Sequence, residues 1–204
     1  MDNMHAILNG GLGISGEYEF FNGFGGFVNN GKEYEILLKD NVKPPFPWIN
    51  VIANKGFGFT ISESGAGFAW ANNSRENKIT PWSNDPVSDK AYEAIYIRDE
   101  ITGKIFTPVS LGRNDRGTYR VRHGFGYTIF YHGEEGIDQE LTVFTPIDEP
   151  VKLWSLKLKN ISQWEKYLTL TYYSEWVLGV EREYTSPYIV THYDNEYEYL
   201  SAKS

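Results

Sequence analysis

The strongest constraint on this chain is the spacing of its apolar residues, which alternate in short runs and are cut every few positions by Gly, Asn, Asp or Pro. A two-residue period puts every second side chain on one face of an extended strand, and the breakers supply the turns. No segment sustains the roughly 3.6-residue apolar period of a helix. The nearest, residues 163–168, is too short to nucleate one. An all-β fold is therefore expected. Strands are expected at residues 17–21 and 33–38, bracketing a Gly/Asn-rich connection at 22–32. Further pairs at 57–62 and 67–71 flank the turn Glu63-Ser64-Gly65, and pairs at 94–99 and 104–107 flank Glu100-Ile101-Thr102-Gly103.

Runs at 118–122, 127–132 and 139–144 predict a meander, with Gly133-Glu134-Glu135-Gly136 as a solvated hairpin tip. Longer runs follow at 151–159 and 166–176. In the second, Leu168, Leu170, Tyr172 and Trp176 share one face, and Thr169, Thr171 and Tyr173 the other. A last hairpin is expected from 188–191 and 198–200. Two antiparallel sheets packed face to face satisfy this pattern, with a Greek-key barrel as the alternative. Few residues follow Leu200, so the last edge would lie bare, an edge that proteins usually protect. A part of something longer is the expectation.

Composition narrows the function classes. The 204 residues, 41% of them hydrophobic, suit one all-β domain with a real core. A net charge of −8 argues against a nucleic-acid partner, whose phosphates call for clustered Lys and Arg. With no cysteine, disulfides and thiolate-bound zinc are excluded, and a cytoplasmic location is expected. His5, His123, His132 and His192 show no metal-ligand spacing. No run approaches the roughly 18 apolar residues of a transmembrane helix. Residues 1–13 lack the basic start and apolar stretch of a signal peptide. Residues 1–15 are expected to form a flexible lead-in to a single domain over 16–204.

Three stretches are rich in groups that could bind a ligand. Residues 70–89 combine Trp70, Asn72, Asn73, Arg75, Glu76 and Asn77 with Thr80-Pro81-Trp82-Ser83-Asn84-Asp85-Pro86. Planar polar groups suit sugar hydroxyls, and an aromatic face suits the C–H patch of the ring. The other reading is an Ω-loop whose Asn and Asp side chains cap its own turns. Arg120 and Arg122 share a strand face, followed by His123-Gly124-Phe125-Gly126, which lacks the third Gly of a nucleotide loop. Glu175 is either a general acid or an arginine partner, and no second carboxylate is paired with it. Nothing in the sequence assembles a catalytic centre.

Taken in order, six segments resemble one known domain. They are Phe21-Asn22-Gly23-Phe24-Gly25-Gly26-Phe27, Pro47-Trp48-Ile49-Asn50-Val51-Ile52-Ala53-Asn54, Asn73-Ser74-Arg75-Glu76-Asn77, Thr80-Pro81-Trp82-Ser83-Asn84-Asp85-Pro86-Val87, Arg122-His123-Gly124-Phe125-Gly126-Tyr127-Thr128 and Glu175-Trp176-Val177-Leu178-Gly179. Together they resemble the N-terminal domain of glycoside hydrolase family 94 enzymes, over residues 20–194. Within that family the chain is most similar to the modules of cyclic β-1,2-glucan synthases and β-1,2-oligoglucan phosphorylases.

The resemblance implies an antiparallel two-sheet supersandwich of the galactose mutarotase-like kind, incomplete at its C-terminal end. It implies a parent enzyme that cleaves β-glucosidic bonds with inorganic phosphate as co-substrate, inverts the anomeric centre and needs no other cofactor. The general acid of such enzymes is an Asp on an (α/α)6 barrel, which would come from the same polypeptide or a partner chain. The sandwich is expected to shape the acceptor side of the cleft, with a homodimer contact nearby. Arg122 and His123 are the implied contacts to a β-glucan oligosaccharide, followed by Arg75, Trp82 and Asp85. A free-standing carbohydrate-binding module is the alternative.

Overall fold

The computed structural model describes residues 18–40, 42–85, 87–112 and 117–204, and the lead-in expected over residues 1–15 lies outside them. The described strands are β1 (Gly25–Val28), β2 (Glu33–Leu38), β3 (Ile49–Ala53), β4 (Phe57–Ser62), β5 (Ala69–Ala71), β6 (Glu93–Asp99) and β7 (Ile105–Phe106). They continue as β8 (Tyr119–Gly124), β9 (Tyr127–Glu134), β10 (Ile137–Phe144), β11 (Leu153–Asn160), β12 (Leu168–Ser174), β13 (Val190–Asp194) and β14 (Tyr199–Lys203). One helical turn, α1 (Arg182–Thr185), runs into a 3-10 turn at Ser186–Tyr188.

A six-stranded antiparallel sheet in the order β1-β2-β8-β9-β10-β11 forms one layer. Sheets β3-β4-β5 and β12-β6-β7 contribute to the other, and β13-β14 is a separate hairpin. The large sheet ends at β1 and β11 and does not close into a barrel. Its register pairs Ile36 with Val121, Val121 with Phe130, and Phe130 with Leu141, a row of fully buried side chains. Ile52, Phe57, Phe59, Ile61, Ile95, Ile97 and Phe106 belong to the same apolar cluster from the smaller sheets. Alternation therefore builds the core as expected: in β10, residues 137, 139, 141 and 143 are buried and those between them half-exposed.

The meander forms as predicted, and its second turn shows why. Glu134 pairs with Ile137, leaving Glu135 and Gly136 at φ 54° and 76°. Two positive φ angles match a turn whose twist suits the flanking strands, and Gly reaches that region without a Cβ penalty.

Two details depart from expectation, and a third settles a connection the sequence left open. The Gly/Asn-rich connection contains strand β1, and the described part of the strand expected at 17–21 is reduced to a bridge between Glu19 and Phe27. Gly25 and Gly26 are in that strand because a Cβ on either would press on backbone, that of Glu35 or of Glu19. Strand β3, with its exposed Ile49 and Val51, was not anticipated. Runs β11 and β12 are consecutive but lie in different sheets, so their connection is a crossover.

The edge strands β11 and β12 leave the core open. Leu170 and Tyr172 face the same way as the buried Ile97 and Ile95 with which they pair, yet each is 54% exposed. Trp154, Leu156 and Leu158 on β11 are only partly covered. One cross-sheet contact there is an edge-to-face one between Trp154 and Tyr172, with centroids 5.9 Å apart.

Candidate functional site

The loop between β5 and β6 is held by its own polar side chains. Asn73 Oδ1 accepts the N–H groups of Arg75 and Glu76 at 2.9 and 3.0 Å. Asp85 Oδ1 accepts those of Val87 and Ser88 at 3.0 and 3.1 Å, and Asp85 Oδ2 accepts the Ser88 hydroxyl at 2.5 Å. These bonds, the Ser88 hydroxyl foremost, hold the Asp85 carboxyl below its ordinary range. The capping expected of an Ω-loop is thus present. Arg75 stands in solvent at the loop tip, 3.3 Å from Glu76.

The same loop builds a cleft. Trp82 tilts against Phe68, with centroids 5.7 Å apart, and leaves about half of its surface exposed. Trp82, Asn84, Asp85 and Lys90 line a cavity of about 240 Å³ on the outer face of the β3-β4-β5 sheet, where Ile49 and Thr60 form the floor. Aromatic surface next to planar polar groups is the arrangement that a sugar ring needs, and Ile49 adds apolar surface beneath it.

A second cavity, of about 320 Å³, adjoins the first and shares Phe46, Pro47 and Asp89 with it. Glu63 lies against it and is 5% exposed, with its Oε2 accepting the Trp48 N–H at 2.7 Å. Asp89 sits beyond the Ser62 and Ser64 hydroxyls, which donate to its Oδ2 at 2.7 and 2.5 Å. Its φ of 41° is uncommon for a residue with a Cβ.

Burial raises the Glu63 carboxyl from 4.5 to about 7; the Trp48 and Glu63 N–H groups and the Lys43 charge pull it down, and the Asp89 charge adds to the rise. The folded state thus holds the Glu63 proton more tightly than the unfolded chain does. Its contribution to stability is full below about 4.5 and is lost as pH rises through about 7. The loss is up to about 3 kcal/mol by proton linkage. Glu63→Gln should therefore be more stable than the parent at pH 8 and equal to it near pH 4. Urea unfolding midpoints across that range measure it, and equal pH slopes would contradict the assignment.

Arg122 and His123 are adjacent on β8 and point to opposite faces of the large sheet. On the outer face Arg122 Nε donates to Glu35 Oε2 at 2.6 Å, and its guanidinium lies 5.6 Å from the Tyr131 ring centre. Arg120 shares that face, as expected, 4.5 Å from the same ring. His123 faces inward among Tyr34, Trp48 and Ile49. Burial pushes its imidazole down to about 4, so it is neutral at pH 7. The Trp48 carbonyl, 3.2 Å from Nε2, can only accept, so the proton is on Nε2, and Nδ1 accepts the Thr128 hydroxyl at 3.0 Å. These two residues do not share a surface, and neither lines the Trp82 cleft. Glu175 is the partner of Arg182, at 2.9 Å, and accepts the Tyr173 hydroxyl.

Sequence reasoning brought Trp82 and Asp85 together but passed over Glu63, Asp89 and Phe46. Glu63 stands in the turn that follows β4, where a strand's alternation no longer says which way a side chain faces. Glu63, Asp89 and Phe46 carry no sequence signal, because the packing of turns and loops brings them to the cavity.

Among the described residues no cluster of three or more His, Cys, Asp or Glu could hold a metal, and no helix is long and apolar enough to cross a membrane. A family model described as the supersandwich domain of glycosyl hydrolase 94 matches residues 32–204. The chain is 39% identical over 188 residues to the cyclic beta-(1,2)-glucan synthase NdvB of Rhizobium meliloti (strain 1021), covering 92% of this chain and 7% of that protein. It is 29% identical over 143 residues to the N,N'-diacetylchitobiose phosphorylase of Vibrio proteolyticus, covering 68% and 17%. With the solabiose phosphorylase of Paenibacillus borealis it shares 28% identity over 159 residues, covering 76% and 20%. The chain thus spans a fifth or less of each of these relatives.

Proposed function

The chain belongs to the glycosyl hydrolase 94 supersandwich family, and from that premise we propose that it is the carbohydrate-contacting β domain of a larger β-glucan phosphorylase- or synthase-type enzyme. Its substrate is a β-1,2-linked glucan, in keeping with the name of the relative with 39% identity. Of the five residues that the resemblance points to, Trp82 and Asp85 share one cleft, and the cleft is the observation that carries the reading. Trp82 receives the apolar patch of a sugar ring, and Asn84, Asp85 and Lys90 orient its hydroxyls.

Bond cleavage belongs to another part of the polypeptide or to a partner chain. An inverting displacement needs an acid on one side of the sugar and the nucleophile, here inorganic phosphate, on the other. The Asp85 carboxyl is held ionised by the bonds that cap its turn, which suits an acceptor and not an acid. The open edge at β11 and β12, with Leu170 and Tyr172 on the core side, suits a domain that packs against further polypeptide.

Calorimetric titration with β-1,2-linked gluco-oligosaccharides tests the reading. Binding by the chain is expected, and Trp82→Ala should weaken it about tenfold through loss of one stacking face. The same preparation should release no phosphate from α-glucose 1-phosphate. Turnover that persists through further purification, or unchanged affinity in Trp82→Ala, would overturn the assignment.

A further inference from the structure

We propose that the cavity of about 320 Å³ beside the Trp82 cleft is a second sugar subsite, which takes the neighbouring unit of the same glucan. The proposal rests on the reading of the cleft given above. Three observations support it: the position of the cavity, its size and the chemistry of its lining.

The two recesses share Phe46, Pro47 and Asp89, so they lie side by side and neighbouring units of one glucan can occupy them together. The volume is at the small end of ligand pockets, the size for one ring and not for a long polymer. The lining sets the ligand class. Glu63 and Asp89 line the cavity with carboxyl groups, against which an anion would be repelled. Glu63, Ser64 and Asp89 already bond within the protein, and an apolar ligand would strip water from the lone pairs they have left. Lys39 and Lys43 also line the cavity and oppose a cation. A neutral polyol escapes all three penalties, because each hydroxyl both donates and accepts. Pro44, Pro45 and Phe46 give the ring's C–H surface an apolar wall.

Glu63 is the residue that distinguishes this subsite from the cleft, since it lines the one cavity and not the other. The near-neutral acid expected there is present in both forms at pH 7, able to donate to a sugar oxygen or accept from a hydroxyl.

The test is calorimetric titration of the whole chain with glucose and with linear β-1,2-glucotetraose, for the parent, Glu63→Ala, Glu63→Gln, Lys43→Ala and Trp82→Ala. Two adjoining subsites predict that Glu63→Ala weakens the tetraose about tenfold and leaves glucose binding at the Trp82 cleft unchanged. Glu63→Gln retains an acceptor for the Trp48 N–H and should stay within about threefold of the parent. Lys43 is exposed, so Lys43→Ala decides the matter if Glu63→Ala fails to fold, and it should also weaken the tetraose selectively. Tetraose binding that is lost in Trp82→Ala but untouched in Glu63→Ala or Lys43→Ala would overturn the second subsite and leave the cleft standing. No binding of either sugar by the parent would overturn both.

Discussion

Replacing Glu93 with alanine is expected to destabilise the chain by about 3–5 kcal/mol, because it strands a buried ammonium. Lys152 Nζ donates to Glu93 Oε2 at 2.7 Å, with both side chains more than nine-tenths buried. Tyr172 donates its hydroxyl to Glu93 Oε1 at 2.8 Å, and the ammonium also lies 4.7 Å from the ring centres of both Phe59 and Trp154. Burial pushes the Lys152 ammonium below the usual lysine range, against the pull of Glu93. Without Glu93 that pull is gone and the Tyr172 hydroxyl loses its acceptor. The pair itself is worth far less than the damage of halving it, since both charges were desolvated to form it. Glu93→Leu combined with Lys152→Met should therefore recover most of the loss. Urea denaturation of the three variants measures this, and a loss below about 1 kcal/mol in Glu93→Ala would mean that water reaches the site.

Phe59→Ala should cost a comparable amount, about 3–5 kcal/mol, for a different reason. Phe59 is fully buried on β4, within the cluster that joins the smaller sheets to the large one. Removing the ring opens a cavity that the sheets on either side can only partly close. It also removes one aromatic face from Lys152. The two substitutions touch the same ammonium, so their effects should not add. A coupling of about 0.5 kcal/mol or more is expected between Phe59→Ala and Lys152→Met. Strict additivity in a double-mutant cycle would show that the ring contact contributes nothing beyond packing.

Lys152 directly precedes β11, and Tyr172 lies on β12, so the ion pair bridges the two layers where the core is least covered. The pair is buried even though the apolar cover of that edge is incomplete, so removing one partner strands the other away from water.

Much of the strand pattern was written in the period-two alternation. The β8–β10 meander, the hairpin tip at Glu135-Gly136, and the β6–β7 turn closing at Gly103 follow from local rules about pleat and turn. The same alternation already separates Arg122 from His123, since neighbours on a strand face opposite ways. The family was legible because six short motifs in one order are far more specific than any of them alone, and the match over residues 32–204 agrees.

Tertiary structure decided what depends on contacts between residues far apart in the chain. Strand β1 inside a glycine-rich connection exists because Gly25 and Gly26 allow close backbone approach to β2 and to Glu19. The crossover from β11 to β12 depends on which sheet has a free edge, which no local period encodes. The cleft at Trp82 and the cavity at Glu63 adjoin only because Phe46 and Pro47 stand between them, with Asp89 reaching both. Side-chain alternation is a property of one strand and can be read from one strand; a binding surface is a property of the packing between several, and appears only once they are packed.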